Sequence, residues 1–182
     1  MTRGYDPRAV ANLMLDEADR LGIRLTNLSL QKLLYFAHGI YLMQTKRPLV
    51  SGYFEAWQYG PVHPSTYRAF KDAGPAPITF RAAGQDPLTG RRREIEIPND
   101  ARLIGLMQQV LNSYGRMPAG RLVDLSHAKD SPWSYVVERA RAEVAFGLRI
   151  SDSVIIDRFR HHKMSIGAEP LSGDPSDDTP FA

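Results

Sequence analysis

The sequence contains no cysteine among its 182 residues. This absence excludes a disulfide scaffold, a thiol nucleophile, an iron–sulfur cluster and every cysteine-based zinc site. Long apolar runs are also missing, since no stretch approaches the roughly 18 consecutive apolar residues of a membrane-spanning helix. Acidic residues interrupt the N-terminal region and argue against a signal peptide. We therefore expect a cytoplasmic protein that does not enter a membrane.

The common catalytic and cofactor-binding motifs are absent as well. The sequence has no glycine-rich phosphate-binding loop, and its five histidines show no two-ligand helical spacing for zinc. Asp124, Ser126 and His127 have the residue types of a hydrolase triad, but close neighbours on a helix point in different directions. We therefore predict a protein that is not an enzyme and that uses no metal or cofactor.

The length and composition are typical of one globular domain. Hydrophobic residues make up 43% and charged residues 24% of the chain, and 14 glycines with 13 prolines are too few for a low-complexity protein. The net charge is +3, yet residues 165–182 contain four acidic residues and no basic one. A basic body favours nucleic-acid or acidic protein partners. We predict a folded domain over residues 1–164 and a disordered acidic tail over residues 165–182.

The spacing of apolar residues predicts a mainly α-helical fold. Asp6 and Pro7 begin a helix that continues to about Leu21, because a capping residue followed by proline is a typical helix start. Thr26 offers a cap for a second helix that ends before Pro48. Further helices are predicted over residues 64–70, 99–114, 119–127, 131–142 and 151–162, the last with Val154, Ile155 and Phe159 buried.

Two regions favour β structure. The aromatic residues 53–59 predict a short strand or extended segment that Gly60 and Pro61 close. The proline-rich region 73–98 contains β-favouring pieces at 78–80 and 94–97, and a Pro-Leu-Thr-Gly turn between them predicts a protruding hairpin. The predicted fold class is therefore mainly α with a small hairpin and short strands, a compact α+β domain.

The aromatic segment is the most distinctive candidate binding surface. Tryptophan and tyrosine beside proline are typical of protein-binding hot spots, because they bury a large area at low entropic cost. Alternate residues of a strand also fill a core, so we expect one face of the segment to be buried and the other exposed. The aromatic residues predicted to bind a partner are Trp57, Tyr59 and Tyr67.

Arg91, Arg92 and Arg93 follow the turn of the predicted hairpin and form the second candidate. Three arginines on a projecting turn could bind nucleic-acid phosphates, although a few like charges in a loop are also commonly just solvated. Helix 26–41 is poorly suited to reading DNA bases, because it offers few polar residues beyond Gln31 and Lys32. We predict that the three arginines belong to a protein-binding surface and that nucleic acid is not the partner.

Several motifs coincide across the chain. Residues 30–42 read LQKLLYFAHGIYL, residues 54–70 read FEAWQYGPVHPSTYRAF, and Pro132-Trp133 begins a later helix. Together these motifs resemble the Panacea antitoxin domain of bacterial toxin–antitoxin pairs, in particular its SocA-type branch, over about residues 8–160. The resemblance implies a compact helical domain that binds and neutralises a co-encoded protein toxin.

The SocA-type branch has a more specific mechanism. The resemblance to that branch implies a toxin that blocks the replication sliding clamp and an antitoxin that acts as an adaptor, delivering the toxin to the ClpXP protease. The expected partners are therefore the co-encoded toxin and ClpX. A DNA-binding transcriptional regulator of a mobile element is the alternative function, and the basic body of the chain is the feature that supports it.

Overall fold

The computed structural model describes residues 4–142 and 147–166. Its elements are α1 (Pro7–Arg20), α2 (Asn27–Thr45), β1 (Phe54–Trp57), β2 (Gly60–Val62), α3 (Pro64–Phe70), β3 (Ala83–Gln85), β4 (Arg92–Glu94), α4 (Ala101–Tyr114), α5 (Ala119–Ser126), α6 (Pro132–Ala142), β5 (Arg149–Ile150) and α7 (Asp152–Arg158). Short 3-10 helices follow α3 and α7. The predicted mainly helical α+β class is confirmed. No helix in these two ranges has both the length and the apolar composition to cross a membrane.

The longer helices begin at capping side chains. The Asp6 carboxylate accepts a hydrogen bond from the Arg8 N–H, and the Thr26 hydroxyl accepts one from the Ser29 N–H. Asp100 does the same for the first turn of α4. Each cap satisfies a backbone N–H that has no partner inside the helix. The helix starts predicted at Asp6 and Thr26 are therefore confirmed, and α4, predicted over residues 99–114, has Asp100 as its cap.

Helix α2 lies at the centre of the core. It packs against α4, α5, α7 and β2. Its buried side chains include Leu30, Leu33, Leu34, Tyr35 and Phe36. Even Gln31 and Lys32 are only 1% and 0% exposed, so neither could reach a DNA base. The prediction that this helix forms core rather than a recognition helix is confirmed.

Strand β1 is the middle strand of a three-stranded antiparallel sheet in the order β2-β1-β5. Phe54 and Ala56 are buried while the residues that alternate with them are partly exposed, which confirms the predicted two-faced strand. The predicted end at Gly60 and Pro61 is wrong, because Gly60 pairs with Trp57 and begins β2. Gly60 has a φ of +96°, a conformation that glycine adopts without strain, so the chain reverses there and continues as a strand.

The second hairpin is present, but its strands are not the predicted ones. β3 pairs with β4 over residues 83–85 and 92–94, so the predicted pieces at 78–80 and 94–97 are wrong. The Asp86 carboxylate accepts hydrogen bonds from the Leu88 and Thr89 N–H groups and closes a tight turn close to the strands. Upstream, the Ile78 N–H donates to the Leu25 carbonyl, so this segment packs beside the α1–α2 connection instead.

The described chain ends beside α4. The Tyr114 hydroxyl donates to the Ser165 carbonyl at 2.7 Å and accepts from the Ser165 N–H at 2.8 Å. The acidic tail was predicted over residues 165–182, and residues 167–182 of it lie outside the described residues. In the last helical region Ile155 and Phe159 are buried as predicted, whereas Val154 is only partly buried.

Two helical glycines with different surroundings test the packing of α2: Gly39 lies in α2 itself, and Gly105 in α4 is the control. A Cβ at Gly39 in α2 would overlap the ring of Phe159, whereas a Cβ at Gly105 in α4 would meet no atom within 4 Å. We expect Gly39→Ala to lower the free energy of unfolding by about 1 to 3 kcal/mol through overpacking. Gly105→Ala should raise it by about 0.5 to 1 kcal/mol, since alanine is the better helix former. Denaturant unfolding measures both, and a Gly39→Ala protein as stable as the unmodified one would contradict this packing.

Candidate functional site

A groove with a volume of about 450 Å³ lies between the start of α2, the β1–β2 turn and α3. Its lining includes all three predicted aromatic residues, Trp57, Tyr59 and Tyr67. The amide side chains of Asn27, Gln31 and Gln58 and the amine of Lys71 also line it. The groove therefore combines an aromatic surface with hydrogen-bonding groups and one basic residue. This composition is typical of a protein-binding site.

The three rings differ in how far they reach solvent. Tyr59 and Tyr67 are 38% and 37% exposed, and Trp57 is only partly so. The Trp57 and Tyr67 rings meet edge to face with their centroids 4.8 Å apart. The Trp57 indole N–H donates to the Glu55 carboxylate at 2.7 Å. Tyr59 and Tyr67 are therefore the freer anchors, while Trp57 also packs within the fold.

Hydrogen bonds from three helical residues hold the walls of the groove. The Trp133 indole N–H of α6 donates to the Trp57 carbonyl at 2.8 Å. The Gln31 amide oxygen accepts from the His63 N–H at 3.1 Å. The Asn27 amide donates to the Tyr67 carbonyl at 3.3 Å. The backbone of the groove is thus fixed in the free protein, and this preorganisation lowers the entropic cost of binding.

Lys32 lies directly behind the turn and is 0% exposed. Its ammonium group donates to the Pro61 carbonyl at 3.0 Å, and the described residues provide no carboxylate partner for it. Burial lowers the pKa of Lys32 from 10.5 to about 7, because the charged form loses its hydration. A Cβ at Gly60 would come within 2.7 Å of the Lys32 Cε, so the amine stem and the turn backbone are in close contact.

Sequence analysis did not identify Lys32 as a functional residue. The available signal was its place among the apolar residues Leu30, Leu33 and Leu34, where a leucine or methionine would be expected. A lysine in a helix is normally exposed, so only the three-dimensional packing showed that this one is buried.

His127 and Trp133 stack behind the same hairpin. Their ring centroids are 3.7 Å apart and the rings are nearly parallel at 15°. Burial, with the nearby charge of Lys32, lowers the pKa of His127. The Ser126 hydroxyl donates to the Val123 carbonyl and not to His127. Ser126 and His127 are therefore not joined in the geometry of a hydrolase triad. Within the described residues, three or more possible metal ligands do not come together anywhere.

The three candidate arginines lie on the other hairpin. Arg91, Arg92 and Arg93 are exposed, and none of them lines the groove. The Arg92 guanidinium donates to the Arg81 carbonyl, and Arg81 pairs with Asp16 at 2.8 Å, which ties the hairpin base to α1. The structure thus brings the aromatic candidates together and places the arginines on a separate hairpin.

Comparisons with known proteins agree with one another. The family model described as antitoxin SocA-like, Panacea domain, matches residues 30–134, a range that contains both hairpins and most of the residues that line the groove. A curated protein named Antitoxin SocA, from Caulobacter vibrioides (strain NA1000 / CB15N), is 47% identical over 178 residues. That alignment covers 98% of this chain and 95% of the Caulobacter protein. No solved structure matches the chain.

The buried amine of Lys32 predicts a pH dependence of stability. The pKa of Lys32 is about 7 in the folded chain, and its ordinary value is 10.5. At a pH between these two values, the unfolded chain binds a proton at Lys32 that the folded chain does not. Raising the pH through this window therefore favours folding, by about 1.4 kcal/mol per pH unit from this residue. Lys32→Met should remove that slope and the exposed Lys129→Met should keep it, measured by urea unfolding across the window. An unchanged slope in Lys32→Met would show that the amine is not desolvated.

Proposed function

Because the chain belongs to the SocA-like antitoxins with a Panacea domain, we propose that it neutralises a co-encoded protein toxin by binding it directly. The observation that carries this proposal is the similarity to an antitoxin over nearly the whole chain. The groove supplies a physical means, because exposed tyrosines on a preformed backbone provide binding energy at low entropic cost. The complex forms in the cytoplasm.

The toxin contacts the groove mainly through Tyr59 and Tyr67, with the Trp57 ring packed against that of Tyr67. Aromatic residues in a partly enclosed groove are the usual centre of a protein interface, while exposed charges at its margin act mainly on the rate of encounter. Arg91, Arg92 and Arg93 are exposed and fit that second role. The proposed surface therefore has an aromatic centre that sets the lifetime of the complex and a basic hairpin that steers the toxin toward it.

The resemblance to the SocA-type branch leads us to propose an adaptor mechanism as well. In it, the bound toxin, one that blocks the replication sliding clamp, is delivered to the ClpXP protease. The domain must then bind the toxin while another element contacts the protease. Residues 180–182, with the sequence Pro-Phe-Ala, are the proposed contact at the end of the acidic segment. These residues lie outside the described ones, so the support comes from sequence and family.

The alternative, a DNA-binding regulator, has less support. The helix that would have to enter the major groove is α2, and its polar residues Gln31 and Lys32 are buried. Recognition of base edges needs such side chains at the surface.

Removing a groove tyrosine should weaken toxin binding without loss of the fold. We expect Tyr59→Ala and Tyr67→Ala each to cost about 2 kcal/mol or more, since central aromatic residues dominate protein interfaces. Tyr53→Ala is the matched control, because Tyr53 is equally exposed at 39% and lies outside the groove. Calorimetry with the product of the neighbouring gene measures the affinity, and co-expression measures the rescue of growth. Rescue of growth without physical association would contradict direct neutralisation.

Reversing the charge of the basic hairpin should change how fast the complex forms. In the variant with Arg91, Arg92 and Arg93 all replaced by glutamate, we expect a slower association rate and a weaker salt dependence, with little change in dissociation. The variant with Arg24, Arg47 and Lys129 all replaced by glutamate is the control, because it makes the same three charge reversals at other exposed positions. Stopped-flow kinetics at two salt concentrations separate the two rates. A faster dissociation with unchanged association would place the arginines at the centre of the interface.

Shortening the chain should separate toxin binding from toxin turnover. A chain that ends at Ile166 keeps the hydrogen bonds between Tyr114 and Ser165, so the fold near α4 is preserved. We expect this chain to bind the toxin as the full chain does and to support slower degradation by ClpXP. Equal turnover by both chains would move the protease contact onto residues 1–166.

A further inference from the structure

Burial of the Lys32 side chain lowers the stability of the folded protein. A fully buried ammonium group loses its hydration, and here it regains one hydrogen bond, to the Pro61 carbonyl. The described residues offer it no carboxylate. A methionine would fill the same space without that cost, so the core alone gives no reason for a lysine here.

The hydrogen bond of Lys32 and its close contact with Gly60 both lead to one structural element. Pro61 and Gly60 are the first two residues of β2, and Gly60 pairs with Trp57 across the turn. Lys32 therefore contacts the strand that returns from Gln58 and Tyr59, the two residues that the turn presents to the groove.

The other fixed points of the hairpin lie at its two sides. Trp133 holds the Trp57 carbonyl before the turn, and Gln31 holds the His63 N–H after β2. The hydrogen bond and close contact of Lys32 lie between these points, at the start of the returning strand. Without Lys32 the sides of the hairpin remain attached and β2 still pairs with β1, but the start of the returning strand loses its side-chain hydrogen bond to α2.

We propose that Lys32 is a positioning residue for partner binding: it holds the β1–β2 turn in the conformation that presents Gln58 and Tyr59. This proposal rests on the proposed function, since it concerns the same groove. A turn that is fixed before the partner arrives need not be ordered on binding, so the benefit of Lys32 appears in the lifetime of the complex. Its cost appears in the stability of the free protein, a trade-off common at functional sites.

The decisive variant is Lys32→Met in the full chain. We expect it to be at least as stable as the unmodified protein near neutral pH, because no amine is buried. Amide hydrogen exchange at Gly60 and Val62, the β2 residues that pair with β1 and carry an N–H, should become about tenfold faster or more as the turn opens locally. Dissociation of the toxin should accelerate by about tenfold or more. A residue with a merely structural role would instead lower stability and leave the dissociation rate of folded molecules unchanged.

Two further variants complete the test. Ile40→Val lies more than two turns along α2 and should lower stability without changing exchange at the turn or toxin dissociation. Lys32→Gln keeps an uncharged donor toward Pro61, and its dissociation rate should fall between those of Lys32→Met and the unmodified protein. If Lys32→Met does not fold, Lys32→Gln takes its place in every measurement.

The outcomes distinguish the two proposals. Normal exchange at the turn in Lys32→Met overturns the positioning role. Normal toxin dissociation in Lys32→Met, alongside lost binding in Tyr59→Ala, also overturns it and leaves the groove as the binding site. If the unmodified chain binds no toxin, the proposed function fails, and the hydrogen-exchange result still decides whether Lys32 holds the turn.

Discussion

Helix α2 is buried around nearly its whole circumference, so each polar side chain on it must find its hydrogen-bond partner inside the protein. Gln31 and Lys32 find theirs on the β1–β2 hairpin. Tyr35 contacts His162 at 3.1 Å, and His38 contacts Asp152 at 3.0 Å, so the same requirement attaches the C-terminal helices. The polar positions of one apolar helix thereby determine where the surrounding elements lie.

Local interactions explain which elements could be predicted from sequence. Asp6 and Thr26 cap helices through residues two or three positions away, so the signal lies within a short window of the chain. Strand β5 has only two residues, and Arg149 pairs with Glu55 far away in sequence. No local pattern encodes such a pairing. The same holds for β2, whose start at Gly60 looked like the end of a strand because glycine and proline usually interrupt one.

Part of the candidate site was also predictable, because the residues involved are close in sequence. Trp57, Tyr59 and Tyr67 lie close together in sequence, and one turn and one short helix are enough to bring them into one groove. The arginines are also near in sequence, yet Asn12 of α1 binds the backbone of Ala82 and directs that hairpin elsewhere. Lys32 was missed because its burial depends on Pro61 and Gly60, which sequence spacing alone does not place behind it.

The hydrogen bond from Trp133 to the Trp57 carbonyl also bears on the fluorescence of the protein. The chain has two tryptophans, and this bond places both of them at the β1–β2 hairpin. Intrinsic tryptophan fluorescence therefore arises from this region of the molecule and from nowhere else in the chain. The indole ring of Trp133 is also stacked on His127, an imidazole that quenches emission more strongly when it is protonated. The protein thus carries its own optical reporter for the state of its groove, without any added label.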